Sequence, residues 1–493
     1  MLVPVILTIF LLWLAYRVTS RPAHFPPGPL NLPLLGYAPF LKLSSPLHLQ
    51  LADLSRKYGN VSSINFGSHR VVILSSLDAI RKAYRDESLS GRSISPILSV
   101  RSEDKKGILF SDGHNWQEMR WFTLRNLRDF GFGKSSLQGL VQSEIAELLS
   151  HLEENAGRPI QLSNRFNVAV VNALWSITTG QRFSQDDPEV KKRVEQLTRT
   201  ISSIGLVGTL TTFFPFLSKI GPVKKQVNDA LDNIHLMKKM VLNVMESHKS
   251  SHSAGDESDF IHSFLERMNG ERDPQSPFYG HVGNTNLKIS LLDLFVAGAE
   301  TTSTTLLWSV LLLATHPDAQ KKCQEEIDRV VPRDELPSLE HRAEMPYLEA
   351  VLMEIQRYAS LVPIVTHLAL QDAELCGYSI PKGTVIMANS YQVHHDPQYW
   401  ERPDEFHPPH FLNADGSVKL SEAFIPFSTG KRLCLGESLA KMELFLFLAA
   451  FLQRFNFEFP ADQPKPSLEP VTGPILTPRP YQVVVTTRIP MRN

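Results

Sequence analysis

Between Leu287 and Thr315 the chain carries almost only apolar and small residues, and the run stops at His316-Pro317. Proline has no amide hydrogen for a helical ladder and its ring collides with the preceding turn, so a helix has to end there. A helix that is apolar on every side offers no face to water, and it therefore belongs at the centre of a fold with other elements packed around it. Yet the middle of this segment holds Glu300 and several threonines, among them Thr301 and Thr302. Burying such groups costs free energy unless they are hydrogen-bonded, so they need a reason to be there.

The rest of the composition suits a large body around such a helix. The chain has 493 residues, 42% of them hydrophobic and 20% charged, which supports a substantial core and argues against a disordered or fibrous chain. A net charge of −1 argues against nucleic-acid binding, which calls for a basic surplus to neutralise phosphates. Three cysteines, Cys323, Cys376 and Cys434, are odd in number and lack a C-x-x-C pair, which implies a reducing compartment and no disulfide scaffold. No internal repeat is visible. Short β signals over Val61 to Leu74, Gly377 to Asn389 and the terminal LTPRPYQVVVTTR predict small sheets beside many helices: a mainly α fold in a single large domain spanning 37–493. The stretch from Lys249 to Asn286, rich in Ser, His, Gly and charge, reads as an exposed linker inside that domain.

At the N-terminus, Leu2 to Tyr16 is uninterruptedly uncharged and is followed by Arg17 and Arg21. As a cleaved signal peptide it lacks a basic leader and a small-residue cleavage site; as a membrane anchor it is short of the roughly 20 apolar residues that usually span. Taken as an anchor over 1–20, its basic C-terminal flank places the body on the cytosolic side of a thin membrane such as the endoplasmic reticulum. Residues 21–36, with Pro26-Pro27-Gly28-Pro29, then form a stiff hinge.

Near the C-terminus stands Phe427-Ser428-Thr429-Gly430-Lys431-Arg432-Leu433-Cys434-Leu435-Gly436, followed by the helical pattern ESLAKMELFLFLAAFLQRF. This resembles the haem-binding loop F-x-x-G-x-R-x-C-x-G of the cytochrome P-450 family. The resemblance implies haem b with the Cys434 thiolate as axial iron ligand, in place of the buried structural thiol that a lone cysteine more often is. A cysteine just ahead of a helix start meets amide donors and the positive end of the dipole, so its pKa is expected to fall. Gly430 and Gly436 are expected to allow a tight turn and close approach to the macrocycle, Arg432 to neutralise a propionate and Phe427 to shield the sulfur.

Other segments carry the same resemblance. Ala297-Gly298-Ala299-Glu300-Thr301-Thr302 is similar to the family's oxygen-activation motif, which implies that small Ala297 and Gly298 let the helix pass over the haem. Thr301 is then expected to interrupt the helical ladder and hold a water, and Glu300 to join a proton relay; alone, the hexapeptide also suits a polar patch against another helix. Glu354 and Arg357 match the E-x-x-R pair, a structural lock onto PDEFHPPHF in which His410 stands where many members have arginine; the plainer alternative is a surface ion pair. Trp116 and Arg120 match W-x-x-x-R, and Arg92 and His367 resemble further propionate contacts, although a lone histidine after an apolar run is commonly a core residue.

The resemblance implies a monooxygenase that takes NADPH-derived electrons from a membrane reductase and puts one atom of dioxygen into a lipophilic substrate. Arg125, Arg128, Lys134 and Lys431 are the candidate reductase contacts, with a plain solvated basic face as the alternative. Substrate-facing stretches are expected at Ser93 to Phe110, Ile201 to Phe216, Leu291 to Thr301, Leu361 to Val365 and Pro474 to Leu476. Within the family the similarity is best to insect enzymes that epoxidise methyl farnesoate to juvenile hormone; steroid, fatty-acid or xenobiotic hydroxylation are the alternatives. A haem-thiolate isomerase or gas sensor working without reductase is the alternative class.

Overall fold

The computed structural model describes residues 21–42, 44–67, 69–131, 135–185, 187, 208, 211–251 and 258–488. The expected anchor, Lys134 and much of Ile201 to Phe216 lie outside the described residues. The helices are α1 Leu47–Tyr58, α2 Leu77–Arg85, α3 Pro96–Ser102, α4 Gly113–Asp129, α5 Ser135–Glu154, α6 Ser163–Thr179 and α7 Gly221–Ser251. They continue with α8 Phe260–Asn269, α9 Gly280–Thr315, α10 Pro317–Val330, α11 Pro346–Ala359, α12 Ser390–His394 and α13 Glu437–Arg454. The mainly α class with small sheets is what the structure shows.

The central helix is α9. It starts at Gly280, earlier than the apolar run, and ends at Thr315 with His316 as cap; Pro317 then opens α10, where its missing amide is harmless. Leu291, Leu292, Leu306 and Leu311 to Leu313 are buried along it against α6, α11 and α13. Each such side chain contributes about 1.5–3 kcal/mol when fully buried. Among the described residues α9 is the one helix long and apolar enough to cross a membrane, but most of it is enclosed by protein.

The main sheet has four strands in the order β1 (Val61–Phe66), β2 (His69–Leu74), β7 (Val385–Asn389) and β4 (Ile364–Leu368), with β2 parallel to β7 and the other pairs antiparallel. Side chains alternate between its faces: Val72 and Leu74 join the cluster on α2, Val71 and Ile73 the one on α1. A three-stranded sheet joins β3 (Pro159–Ile160), β9 (Val483–Thr487) and β8 (Phe455–Glu458), and β5 (Ala373–Leu375) pairs with β6 (Tyr378–Ile380).

Two expectations need correction. The stretch read as a linker contains α8, whose Phe260, Ile261, Phe264 and Leu265 are buried; a short apolar run amid Ser, His and charge hid the helix. The proline-rich hinge is not a free spacer, because Ser63 donates its amide to the Pro27 carbonyl at 2.7 Å and its hydroxyl to Pro26 at 2.6 Å, laying the segment along β1.

Candidate active site

Cys434 follows a single 3-10 turn, Gly430–Arg432, and precedes Gly436, the cap of α13. Its amide closes the loop by donating to the Phe427 carbonyl at 3.0 Å. Gly430 has a φ of +76°, and a Cβ there would lie 2.0 Å from the Tyr84 carbonyl oxygen of α2. The expected tight turn is present, and contact with α2 also requires glycine there. Gly436, at φ −89° and ψ 8°, adopts a conformation open to other residues.

The expected fall in the Cys434 pKa is also corrected. Burial raises it most and Glu437 adds to the rise; the amides of Gly436 and Glu437 and the charge of Arg120 pull the other way without prevailing.

Beside the loop lies a cluster of cations, with Arg432 buried and Arg92, Arg120 and Lys105 half-buried. The Arg432 guanidinium lies 4.0 Å from the centre of the Trp116 ring and donates to the carbonyls of Ser90 at 2.9 Å and Ser111 at 2.6 Å and to Asp112 at 3.2 Å. Burial, with Arg92 and Arg120 nearby, pushes its pKa down to about 9. Arg92 donates its side chain to the carbonyls of Leu109 and Thr366, and its amide to Asp112 at 2.7 Å. Arg120 donates to the Leu433 carbonyl at 2.6 Å. His367 lies flat on Tyr84, 3.8 Å between ring centres, with Nδ1 donating to the Leu89 carbonyl at 3.1 Å and Nε2 buried without a partner. Burial first, then Arg92 and Arg432, depress its pKa to about 2, so it is neutral. Asp112 thus answers the Arg432 guanidinium, the Lys105 ammonium and the Arg92 amide, while the guanidiniums of Arg92 and Arg120 end on backbone carbonyls and an imidazole nitrogen is left over. That surplus of positive charge and unspent polar groups fits a dianionic ligand such as the two propionates of haem.

The opposite wall is α9. Ala297 is exposed and Val296, Gly298 and Thr301 are half-buried in a helix whose flanking turns are buried, so one strip of it faces open space. Thr301, Thr302 and Thr305 line a small pocket together with Phe427, which brings the central helix and the cysteine loop face to face. The helix is unbroken at this point: the Thr301 hydroxyl donates to the Ala297 carbonyl at 2.8 Å, so the expected interruption of the ladder is not present. Gly298 faces elsewhere, since a Cβ there would meet the Leu174 side chain of α6 at 2.6 Å. Glu300 is buried on the same side, with Asn167 of α6 donating to it at 3.3 Å. The sequence reading missed Glu443 of α13, whose buried carboxyl accepts from Thr302 and has its pKa raised well above the usual carboxylate range by burial.

Glu354 and Arg357 are fully buried and joined by two 2.8 Å hydrogen bonds, which rules out a surface pair. Arg357 also donates to the carbonyls of His394, Pro403 and Glu405 at 2.7–2.8 Å, while Glu354 accepts from the His407 amide at 2.7 Å and meets His410 Nδ1 at 3.2 Å. The pair holds α11 to the PDEFHPPHF segment, as the resemblance implied.

Asp112 was also missed. In SDGHNW it reads as a helix cap, yet its side chain makes no cap bond and goes instead to Arg92, Lys105 and Arg432.

The family model for cytochrome P450 matches residues 26–485. The chain is a cytochrome P450. Relatives span almost its whole length: cytochrome P450 2J2 of Homo sapiens is 36% identical over 485 residues, covering 97% of this chain and 95% of its own. Cytochrome P450 2L1 of Panulirus argus is 36% identical over 482 residues, with 96% and 97% covered, and cytochrome P450 2B2 of Rattus norvegicus 38% over 456, with 91% and 90%. The P450 is therefore a haem-thiolate monooxygenase that acts on lipophilic molecules with NADPH-derived electrons passed on by a reductase. Haem, once bound, would supply the activation of dioxygen.

Proposed function

We propose that this P450, anchored by residues 1–20 in the endoplasmic reticulum membrane with residues 37–493 as its cytosolic domain, epoxidises methyl farnesoate to juvenile hormone. The observation that carries the oxygenation reading is that Phe427, at the head of the cysteine loop, lines one pocket together with Thr301, Thr302 and Thr305 of α9. Cys434 is the proposed iron ligand, and Arg92, Trp116, Arg120, His367 and Arg432 the proposed partners of the propionates. Thr301 and Glu300 are the proposed proton carriers at the distal side, with Ala297 and Gly298 as small residues in the helix that crosses it.

The substrate reading rests on the resemblance drawn from the sequence and on the apolar content of the stretches expected to face substrate. Two of these stretches meet, since the Leu476 amide donates to the Leu361 carbonyl at 2.8 Å. Membrane attachment is supported by Leu30, Leu34 and Phe216, which are 92%, 74% and 57% exposed next to the N-terminal segment and the 215–219 turn.

The test uses purified P450 with reductase and NADPH. Methyl farnesoate is expected to yield one epoxide in step with oxygen consumption. Hydroxylated fatty acid, steroid or xenobiotic products with methyl farnesoate untouched would remove the substrate assignment, and rearranged product without NADPH consumption would point to an isomerase. Cys434→Ser is expected to abolish the carbon monoxide spectrum of thiolate-bound ferrous haem; its survival would overturn the ligand assignment.

A further inference from the structure

Among the described residues, His248, Asp259 and His262 form the one cluster of three metal-ligating side chains whose donor atoms all lie within 4.8 Å of one another. All three are buried. They sit where the end of α7 meets the start of α8, close to Gly180 behind α6, and none belongs to the arginine cluster or to the strip of α9 that faces the cysteine.

We propose that these three residues bind a divalent cation, with Zn²⁺ as the occupant. His248 places Nδ1 2.7 Å from the Val244 carbonyl, an acceptor that calls for a proton on that nitrogen. In the neutral ring Nε2 then carries a lone pair, and it points at Asp259 Oδ2 from 3.0 Å. His262 brings Nδ1 to 3.1 Å from the other oxygen of the same carboxylate, with the Ser258 hydroxyl at 3.2 Å. Two imidazole nitrogens therefore converge on one carboxylate, at separations suited to donors that share a metal about 2.0–2.2 Å from each. An outward ring nitrogen fixed on a backbone carbonyl is the usual way a metal-binding histidine is oriented. Two nitrogens and one carboxylate oxygen form a borderline-hard set that selects zinc over magnesium or calcium, which call for oxygen ligands alone. The ion would tie the end of the long α7 to the first turn of α8.

A proton can also satisfy the pair, as a His248 imidazolium facing Asp259, and the experiment separates the two. The full-length haem-loaded P450 is stripped with EDTA, dialysed against Zn²⁺ or Mg²⁺, and its metal content compared with its haem iron. The proposal expects one zinc per iron, a rise in melting temperature with Zn²⁺ alone, and loss of both in His262→Ala. That variant keeps the backbone amide that donates to Asp259 at 2.9 Å, so the cap of α8 survives. Its zinc affinity is expected to fall about 100-fold or more with the carbon monoxide spectrum unchanged. His248→Ala is the second variant and is expected to behave alike. Zinc content no higher in the wild type than in these variants, or an equal response to Mg²⁺, would overturn the proposal.

Discussion

Arg357 grips Glu354 through two parallel hydrogen bonds of 2.8 Å, and neither side chain has any exposed surface. Three further donations from Arg357 end on backbone carbonyls of the 394–405 segment, so the pair fastens a long loop to α11.

Removing one partner leaves the other charge buried and unpaired. Glu354→Ala is expected to destabilise the P450 by about 3–5 kcal/mol, and Arg357→Lys, which loses the planar fork, by a comparable amount. Denaturant midpoints and haem bound per chain check this; a midpoint within experimental error of the wild type would refute it.

Gly430→Ala puts a methyl group where only 2.0 Å separates it from the Tyr84 carbonyl oxygen, at a φ of +76°. Backbone strain alone costs about 1–3 kcal/mol, before α2 is pushed off the loop. A lower melting temperature with less thiolate-type carbon monoxide complex is the expected reading.

Burial depresses the pKa of His394 to about 3 and that of His367 to about 2. Both lie below the unfolded value near 6.5, so the unfolded chain binds more protons as the pH falls. Stability contributed by the neutral rings is present above that value and is lost progressively below it, down to about pH 3. Each ring steepens the loss by up to about 1.4 kcal/mol per pH unit. His394 accepts from the Ile425 amide at 3.1 Å and meets the Ser360 hydroxyl at 3.0 Å. His394→Gln is therefore expected to lower stability at pH 7 and flatten its decline between pH 6 and 4, measured by urea unfolding at each pH.

Arg125, Arg128 and Lys431 are exposed, and Arg125 lies over the exposed Trp121 ring at 5.4 Å. Reversing the charge at Arg125 and Arg128 is expected to cut reductase-supported turnover about tenfold at low salt, with the gap narrowing as ionic strength rises. Peroxide-driven turnover of the same double variant is expected to match the wild type. A parallel loss in both assays would mean damage to the fold.

The sequence displayed the core helix and the cysteine loop because each has a local signature: an apolar run closed by proline, and a spaced set of fixed residue types. It also displayed Glu354 and Arg357, whose i, i+3 spacing puts them on one helix face. What it hid depends on contacts between distant segments. Asp112 looks like a cap, Glu443 like one charge on an apolar helix, and Tyr84 like any core aromatic until His367 stacks on it. The roles of the two loop glycines diverge for the same reason, because only the fold brings Tyr84 against Gly430.

The parallel pairing of β2 with β7 joins Val71 to Val385, a separation of roughly 300 residues, and such distant contacts form late. During synthesis the β1–β2 hairpin must therefore wait, its β2 edge unpaired, while the ribosome makes nearly all the helices. A message that terminates before Val385 leaves that edge permanently bare. Such a truncated product would be marked for aggregation or clearance by chaperones well before the absence of its cysteine mattered.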